Sequence, residues 1–379
     1  MDFDFTEEQL MIRDAARDFA QRELITDVIE RDTGAIYPTR HVQRMAELGF
    51  LGMLVDVKYD GGGMDTVSYV LAMEEISKVD SSCSVIMSVN NSLVCYGLEA
   101  FGTEAQKEKY LKPLARGEKI GAFLLSEPNA GSDATSQKTI ATDMGDYYLV
   151  NGTKNWITNG NTAGTYLLIA QTHPEKMHKG INCLIVDRNT PGIRVGPHED
   201  KMGMRSSDTH SVMFTDVKVP KENRIGDDGF GFTFAMKTLE GGRIGIAAQA
   251  LGIAAGAYER ALQYSKERKT FGTLISNHQA IAFKLADMAV KIENARNLCL
   301  KAAWLKDQGK PYGFASSMAK YYAAEMAMEV TTQAVQIHGG YGYVKDYHVE
   351  RLMRDAKLTQ IYEGTSEIQQ MIISREILK

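Results

Sequence analysis

The strongest constraint on this chain is a change of hydrophobic period in its middle. Residues 6 to about 118 carry helical spacing, and Thr6-Glu7-Glu8-Gln9 and Thr103-Glu104-Ala105-Gln106 read as capping boxes opening amphipathic runs. The loop DVKYDGGGMD, 56–65, interrupts them. From about 121 to 226 the texture becomes short β-rich runs (YYLVNG, TYLLIAQT, INCLIVD, SVMFTDVKV) separated by turn residues, with five of the eight prolines. From about 228 helical spacing returns, with Gly241/Gly245 and Gly252/Gly256 one turn apart, so that helices can approach closely. The pattern predicts an α+β, mainly α fold. An N-terminal helical domain (1–120) and a C-terminal four-helix bundle (228–379) flank a small antiparallel β domain (121–227).

Several functions are excluded early. No GxGxxG follows a strand, and no Walker A, HExxH, calcium loop or GxSxG elbow is present. The four cysteines are scattered without ligand spacing, which favours free thiols. A net charge of −5 gives no electrostatic case for nucleic acid or a membrane surface. No apolar run reaches a membrane span, and the acidic, helical start does not read as a targeting segment, so a cytoplasmic protein is expected.

The stretch IYEGTSEIQ, 361–369, poses the chemical question. Ser366 and Gln369 read as a capping box, which places Glu367 in a first helical turn where the macrodipole favours it. Glu363, between Tyr362 and Gly364, has no such structural use. Other motifs are ambiguous singly. SEPNAGSDA (126–134) has turn composition. Trp156 in NWITNG suits a sheet-core anchor, His338 in QIHGGYGY a helix C-cap or a ligand, and Arg268 in RKTFG a solvated helix-end cation.

Taken together and in order, these five motifs resemble the acyl-CoA dehydrogenase family across essentially the whole chain. MSVNNSL (87–93) and TLEGGRIGIAAQALGIA (238–254) are most similar to its short-chain, butyryl-CoA type. The resemblance implies non-covalent FAD, a homotetramer built as a dimer of dimers, and electron transfer to an electron-transfer flavoprotein. It puts Phe123, Leu125, Ser126, Gly131 and Ser132 along the flavin, flanked by Trp156, Ile157 and Thr158. Arg268, Phe271 and Gln279 would reach the FAD of a neighbouring subunit, as would Gln336, Ile337, His338, Gly339 and Gly340. Thr365 and Glu367 would lie near FAD, and Ser132, Glu240, Arg243 and Gly364 around the acyl-CoA.

Glu363 matches the family's general base, which takes the α-proton of a fatty acyl-CoA while a hydride leaves the β-carbon for flavin N5. An ordinary carboxylate is too weak a base for a carbon acid, so the chemistry requires an apolar, desolvated setting. Relatives acting on isovaleryl or long-chain thioesters place their base immediately before the matching arginine. Here that arginine is Arg243 and the preceding residue is Gly242, so the alternative position is empty. Rival expectations keep the fold with another acyl group or an enoyl-CoA reductase direction, or make the chain an FAD-less acyl-CoA-binding scaffold.

Overall fold

The computed structural model describes residues 4–379. The N-terminal region holds α1 (Glu7–Arg22), α2 (Val28–Gly34), α3 (Thr39–Glu47), α4 (Thr66–Ser77), α5 (Ser81–Ser88), α6 (Tyr96–Phe101), α7 (Glu104–Gln106) and α8 (Lys112–Ala115). Both expected capping boxes form: Thr6 and Gln9 bond reciprocally at the start of α1, and Thr103 and Gln106 at α7. Between α5 and α6 the chain widens into a π-helical segment, Val89–Cys95, which coincides with most of MSVNNSL. A π-segment adds a residue to the turn and re-aims the side chains that follow it, and such bulges concentrate at functional sites.

The central sheet has eight strands: β1 (Gly121–Leu124), β2 (Ile140–Asp143), β3 (Tyr147–Thr158), β4 (Thr165–Gln171), β5 (Ile181–Asp187), β6 (Ile193–His198), β7 (Thr209–Pro220) and β8 (Arg224–Ile225). Its order is β6-β7-β3-β2-β4-β5-β8, with β1 on β4. The expected antiparallel sheet needs one amendment. β1 runs parallel to β4 (Gly121↔Thr165 through Leu124↔Leu168), and β2 meets β4 in parallel at Ile140↔Gln171. The local alternation that suggests hairpins carries no information on pairings made across long connections. β4 and most of β5 are buried on both faces, which explains their near-continuous apolar runs.

The C-terminal region contains the 37-residue α9 (Gly231–Glu267), a small hairpin of β9 (Lys269–Thr270) and β10 (Thr273–Leu274), α10 (Gln279–Asp307), α11 (Gly313–His338), α12 (Val349–Thr359) and α13 (Ser366–Ile377). The small residues of α9 form its contact face. A Cβ on Gly252 would lie 2.4 Å from the Glu74 carbonyl oxygen, and one on Gly256 would lie 2.3 Å from that of Lys78. The glycines therefore let α9 sit directly against the C-terminal end of α4.

Buried polar bonds then join the three regions. Asp355 on α12 accepts from Ser81 Oγ, from the Met204 backbone N–H in the β6–β7 loop, and from Arg351 at 3.3 Å. Arg351 also donates to the Val79 carbonyl at 2.7 Å. Gln249, fully buried on α9, donates to Ser81 O (2.9 Å) and Ser84 Oγ (2.8 Å), while its side-chain oxygen accepts from Tyr362.

Gly256→Ala should lower unfolding stability by about 1–3 kcal/mol, since the added methyl meets backbone that cannot swing away. Gly241→Ala, whose Cβ would meet nothing nearer than 3.7 Å, should cause no loss. Denaturant unfolding monitored by circular dichroism compares the two.

Candidate active site

The turn between α12 and α13 is built from residues in an unusual backbone region. Glu363 has φ +51° and Gly364 φ +93°. A left-handed conformation costs a non-glycine residue about 1–2 kcal/mol, so it persists only where its surroundings hold it. Neighbouring side chains supply the hold. Lys320 Nζ of α11 donates to the Gly364 carbonyl at 2.7 Å, and Gln369 Nε2 of α13 donates to the same oxygen at 2.9 Å. Glu325 of α11 accepts from Ser366 Oγ at 2.5 Å and from Gln360 Nε2 at 2.8 Å.

These bonds correct the expected capping box. The N-cap of α13 is Thr365, whose hydroxyl accepts from the Ile368 N–H at 3.3 Å. Ser366 and Gln369 are diverted because α11 and the strained turn offer them partners that the local pattern cannot reveal. Glu367 is exposed in the first turn, and its carboxyl is held below the usual range by its own backbone N–H and by the Thr365 hydroxyl.

The Glu363 side chain points the other way, onto α9. A Cβ on Gly242 would lie 2.2 Å from Glu363 Oε2 and 2.8 Å from Leu93 Cδ2, so the bare glycine is what gives the carboxylate room. Glu363 as a residue is partly exposed, yet its Oε2 is cut off from solvent and has no hydrogen-bond partner among the described residues. Burial pushes the carboxyl up to about 7, against the opposing pull of Lys320 and Arg243. Arg243 is buried and its guanidinium turns toward Ser317, with Nη1 3.5 Å from Ser317 Oγ. Glu240, partly exposed, lies against the start of α11 at Gly313. One turn along α9 from Gly242, the space beside Gly245 is filled by the Tyr69 hydroxyl and Ser88 Oγ.

The remaining sequence-picked residues fall into three groups. In the first, the loop 126–134 is tied to β3 by a buried Lys154, which donates to Glu127 Oε1 (2.7 Å), Leu125 O (3.0 Å) and Gln137 Oε1 (3.1 Å). The Asn155 N–H donates to Ser126 O at 2.9 Å, which sets the loop beside Trp156. Phe123 is half-buried and stacks on Phe234 at 6.4 Å; Leu125 and Ser126 are half-buried, while Gly131 and Ser132 are exposed. Ser132 makes no hydrogen bond to Glu240 or Arg243 among the described residues.

Trp156 departs from the sheet-core reading. A register shift in β3 between Lys154 and Ile157 inserts a bulge, and Trp156, at φ +60°, is turned outward with 61% of its surface exposed. Ile157 is turned inward to the sheet core, and its carbonyl accepts from the Gly160 N–H at 3.1 Å; Thr158 is half-buried.

In the second group, Arg268 caps the end of α9 and stays exposed, its guanidinium 5.6 Å from the Tyr341 ring centre. Phe271 crowns the β9–β10 turn at 99% exposure, and Gln279 opens α10 in solvent. In the third, Gln336 is exposed, Ile337 and His338 are buried, and Gly339 and Gly340 are exposed, with Gly339 at φ +60° ending α11. His338 is no charged cap: burial holds its imidazole below the ordinary value, Nδ1 donates to Ala334 O at 2.8 Å, and the ring stacks on Tyr264 at 4.4 Å.

The structure thus brings Glu363, Gly364 and Arg243 together; the three other groups mix exposed residues such as Trp156, Phe271 and Gln336 with the buried Ile157, Ile337 and His338. Sequence reasoning missed Lys320, Lys154 and Tyr69. A lysine on an amphipathic helix carries no local sign that it is buried.

Three family models match in order: acyl-CoA dehydrogenase N-terminal domain at 6–118, middle domain at 122–217 and C-terminal domain at 229–378. A short-chain-specific acyl-CoA dehydrogenase of Clostridium acetobutylicum is 50% identical, with 100% of both chains covered. The solved butyryl-CoA dehydrogenase of Megasphaera elsdenii superposes with a TM-score of 0.98 at 48% identity, again over 100% of both chains. A subunit of the caffeyl-CoA reductase–Etf complex of Acetobacterium woodii is 47% identical over 99% of each chain.

Gly364→Ala should destabilise the fold by about 1–2 kcal/mol, because alanine resists the left-handed conformation. Its Cβ would also approach Gln369 Nε2 to 2.6 Å. Thermal unfolding of the variant against the parent measures the loss.

Proposed function

Because this chain belongs to the acyl-CoA dehydrogenase family, we propose that it carries out the α,β-dehydrogenation of short-chain fatty acyl-CoA, with Glu363 as the general base. The observation that carries the reading is a buried carboxylate oxygen with no partner, on a group titrating near neutrality. Such a group is ionised often enough to act and basic enough to be useful. The short-chain preference is supported by the 50% identical relative and by the bulk of Tyr69 and Ser88 one turn beyond the carboxylate.

The chain's own groups fit a bound FAD. An exposed indole on a bulged strand gives a planar apolar surface, and Gly131, Gly339 and Gly340 leave open space where a Cβ would meet nothing within 4 Å. The loop from Ser126 to Ser132, with Phe123, Leu125, Trp156, Thr158 and the backbone of Ile157, would line the flavin. Phe271, beside Arg268 and Gln279, meets the edge of the His278 ring at 6.1 Å yet leaves nearly all of its surface exposed, which suits a contact with a neighbouring subunit; the 336–340 stretch is read in the same way. Thr365 and Glu367 are assigned beside the cofactor as well. When bound, FAD supplies the two-electron acceptor.

Glu363 takes the substrate's α-proton, and its backbone N–H, matching the family's donor, steadies the charge that develops on the thioester oxygen. Glu240, Arg243, Gly364 and Ser132 hold the acyl-CoA. Entry of the thioester displaces water from the carboxylate and strengthens it as a base. A homotetramer, an electron-transfer flavoprotein as partner and a cytoplasmic setting complete the reading. Among the described residues no helix is long and apolar enough to cross a membrane.

A second reading, reduction of an enoyl-CoA, is favoured by the relative named as a caffeyl-CoA reductase subunit. A carboxyl titrating near 7 can return the proton as well as remove it. Comparing crotonyl-CoA reduction with butyryl-CoA oxidation, using the same electron partner, separates the two directions.

Anaerobic addition of butyryl-CoA should bleach the flavin absorbance of the wild type. Glu363→Gln should keep FAD and bind ligand yet lose at least about 10²–10⁴-fold in bleaching rate; normal bleaching would unseat Glu363. The wild-type rate should fall as pH drops through about 7, because the base must be ionised.

Stability runs the opposite way. A carboxyl raised in the folded state contributes most below its unfolded pKa, and that contribution is lost as pH rises through about 7. Glu363→Gln should therefore melt higher than the wild type above neutral pH, a gain that fades in acid.

A further inference from the structure

Lys320 is a fully buried cation that the reaction as described does not use. It makes no ion pair among the described residues; its only bond runs from Nζ to the Gly364 carbonyl at 2.7 Å. The residue after Glu363 is thus gripped by an ammonium, while Glu363 Oε2 has no hydrogen-bond partner among the described residues.

The same chain offers an internal contrast. Lys154 and Glu127 form a direct buried pair at 2.7 Å, and there the carboxyl is held below its usual range, with Lys154 and backbone N–H groups overcoming desolvation. A base paired in that way would be too weak for a carbon acid. At Glu363 the cation is set one peptide away, where it stabilises the charge across space without hydrogen-bonding to it.

We propose that Lys320 is a positioning residue for the reaction: by holding the Gly364 carbonyl it fixes the strained Glu363–Gly364 turn and presents the carboxylate unpaired but with a cation in reach. This rests on Glu363 being the base. The charged and titratable groups facing the pair are Arg243 and Glu240 on α9, Glu325 on α11, Glu367 on α13, Tyr69 on α4 and the adjacent Tyr362. Arg243 makes one long contact to Ser317 at 3.5 Å and acts on Glu363 through space, while Glu325 bonds to Ser366 and Gln360, and Tyr362 to Gln249. None of these groups donates to the Glu363 or Gly364 carbonyl; among the described residues Lys320 and Gln369 are the side chains that do.

The test uses FAD-loaded Lys320→Met, which keeps the length and removes both charge and donor, with Lys320→Gln, which keeps a donor without charge. Bleaching by butyryl-CoA is followed in single turnover across the neutral range. Binding of the unreactive thioether S-butyl-CoA is measured by calorimetry.

Lys320→Met should lose about 10-fold or more in bleaching rate while thioether affinity changes less than about 3-fold. Its acid limb should move up by about one pH unit, since removing a cation makes a carboxyl harder to ionise. Lys320→Gln should show the same upward limb with a smaller loss of rate. Should Lys320→Met fail to fold, Lys320→Gln together with Lys320→Arg decides, the arginine restoring the wild-type limb.

A wild-type limb and rate in the uncharged variants would overturn the proposal. So would a rate loss matched by equal losses of FAD and thioether binding. A wild type that butyryl-CoA does not bleach would overturn the dehydrogenase reading itself, which keeps the two failures apart.

Discussion

One buried carboxylate, Asp355, holds the architecture in register. It draws the start of α5, the β6–β7 loop and α12 to a single point through Ser81, Met204 and Arg351. An acid so deeply buried must have its bonds made, because an unpaired charge in that setting is costly. The three regions are therefore fastened where α12 begins its last turn, a few residues before Glu363. Gln249 adds a second tie from α9 to both Ser81 and Tyr362. The reactive turn inherits its position from these bonds and from the close α4–α9 contact that glycine permits.

Two lysine–glutamate relationships in this chain show how geometry sorts like residues into unlike jobs. Lys154 meets Glu127 directly and spends its charge on fixing the loop beside Trp156. Lys320 meets a backbone carbonyl and leaves Glu363 free. The desolvation is similar in kind, but the titration moves in opposite directions because only one carboxylate has a donor on it. A strained backbone is the structural cost of the second arrangement, and α11 and α13 absorb it.

Much of this was legible in the residues. The capping boxes at Thr6 and Thr103 form because both partners lie within one turn, so local sequence suffices. The α–β–α order followed from the change of period. The box at Ser366 failed for a tertiary reason: Ser366 found Glu325, and Gln369 found the carbonyl of Gly364. Trp156 suits a core anchor as a large aromatic in a strand, and a bulge that residue type does not reveal turns it out. The parallel pairing of β1 with β4 joins segments too far apart for alternation to register.

The sequence by itself determined the order of helices and strands, the family, and the identity of an acid with no local structural use at 363. Those depend on short-range periodicity and on motif spacing, which the chain carries wherever it goes. Tertiary structure alone decided that Gly242 opens a berth for that acid, that Lys320 is buried against the next carbonyl, and that among the described residues no donor reaches Oε2. Desolvation and charge act through space between residues far apart in the chain, and only the packed fold sets those distances.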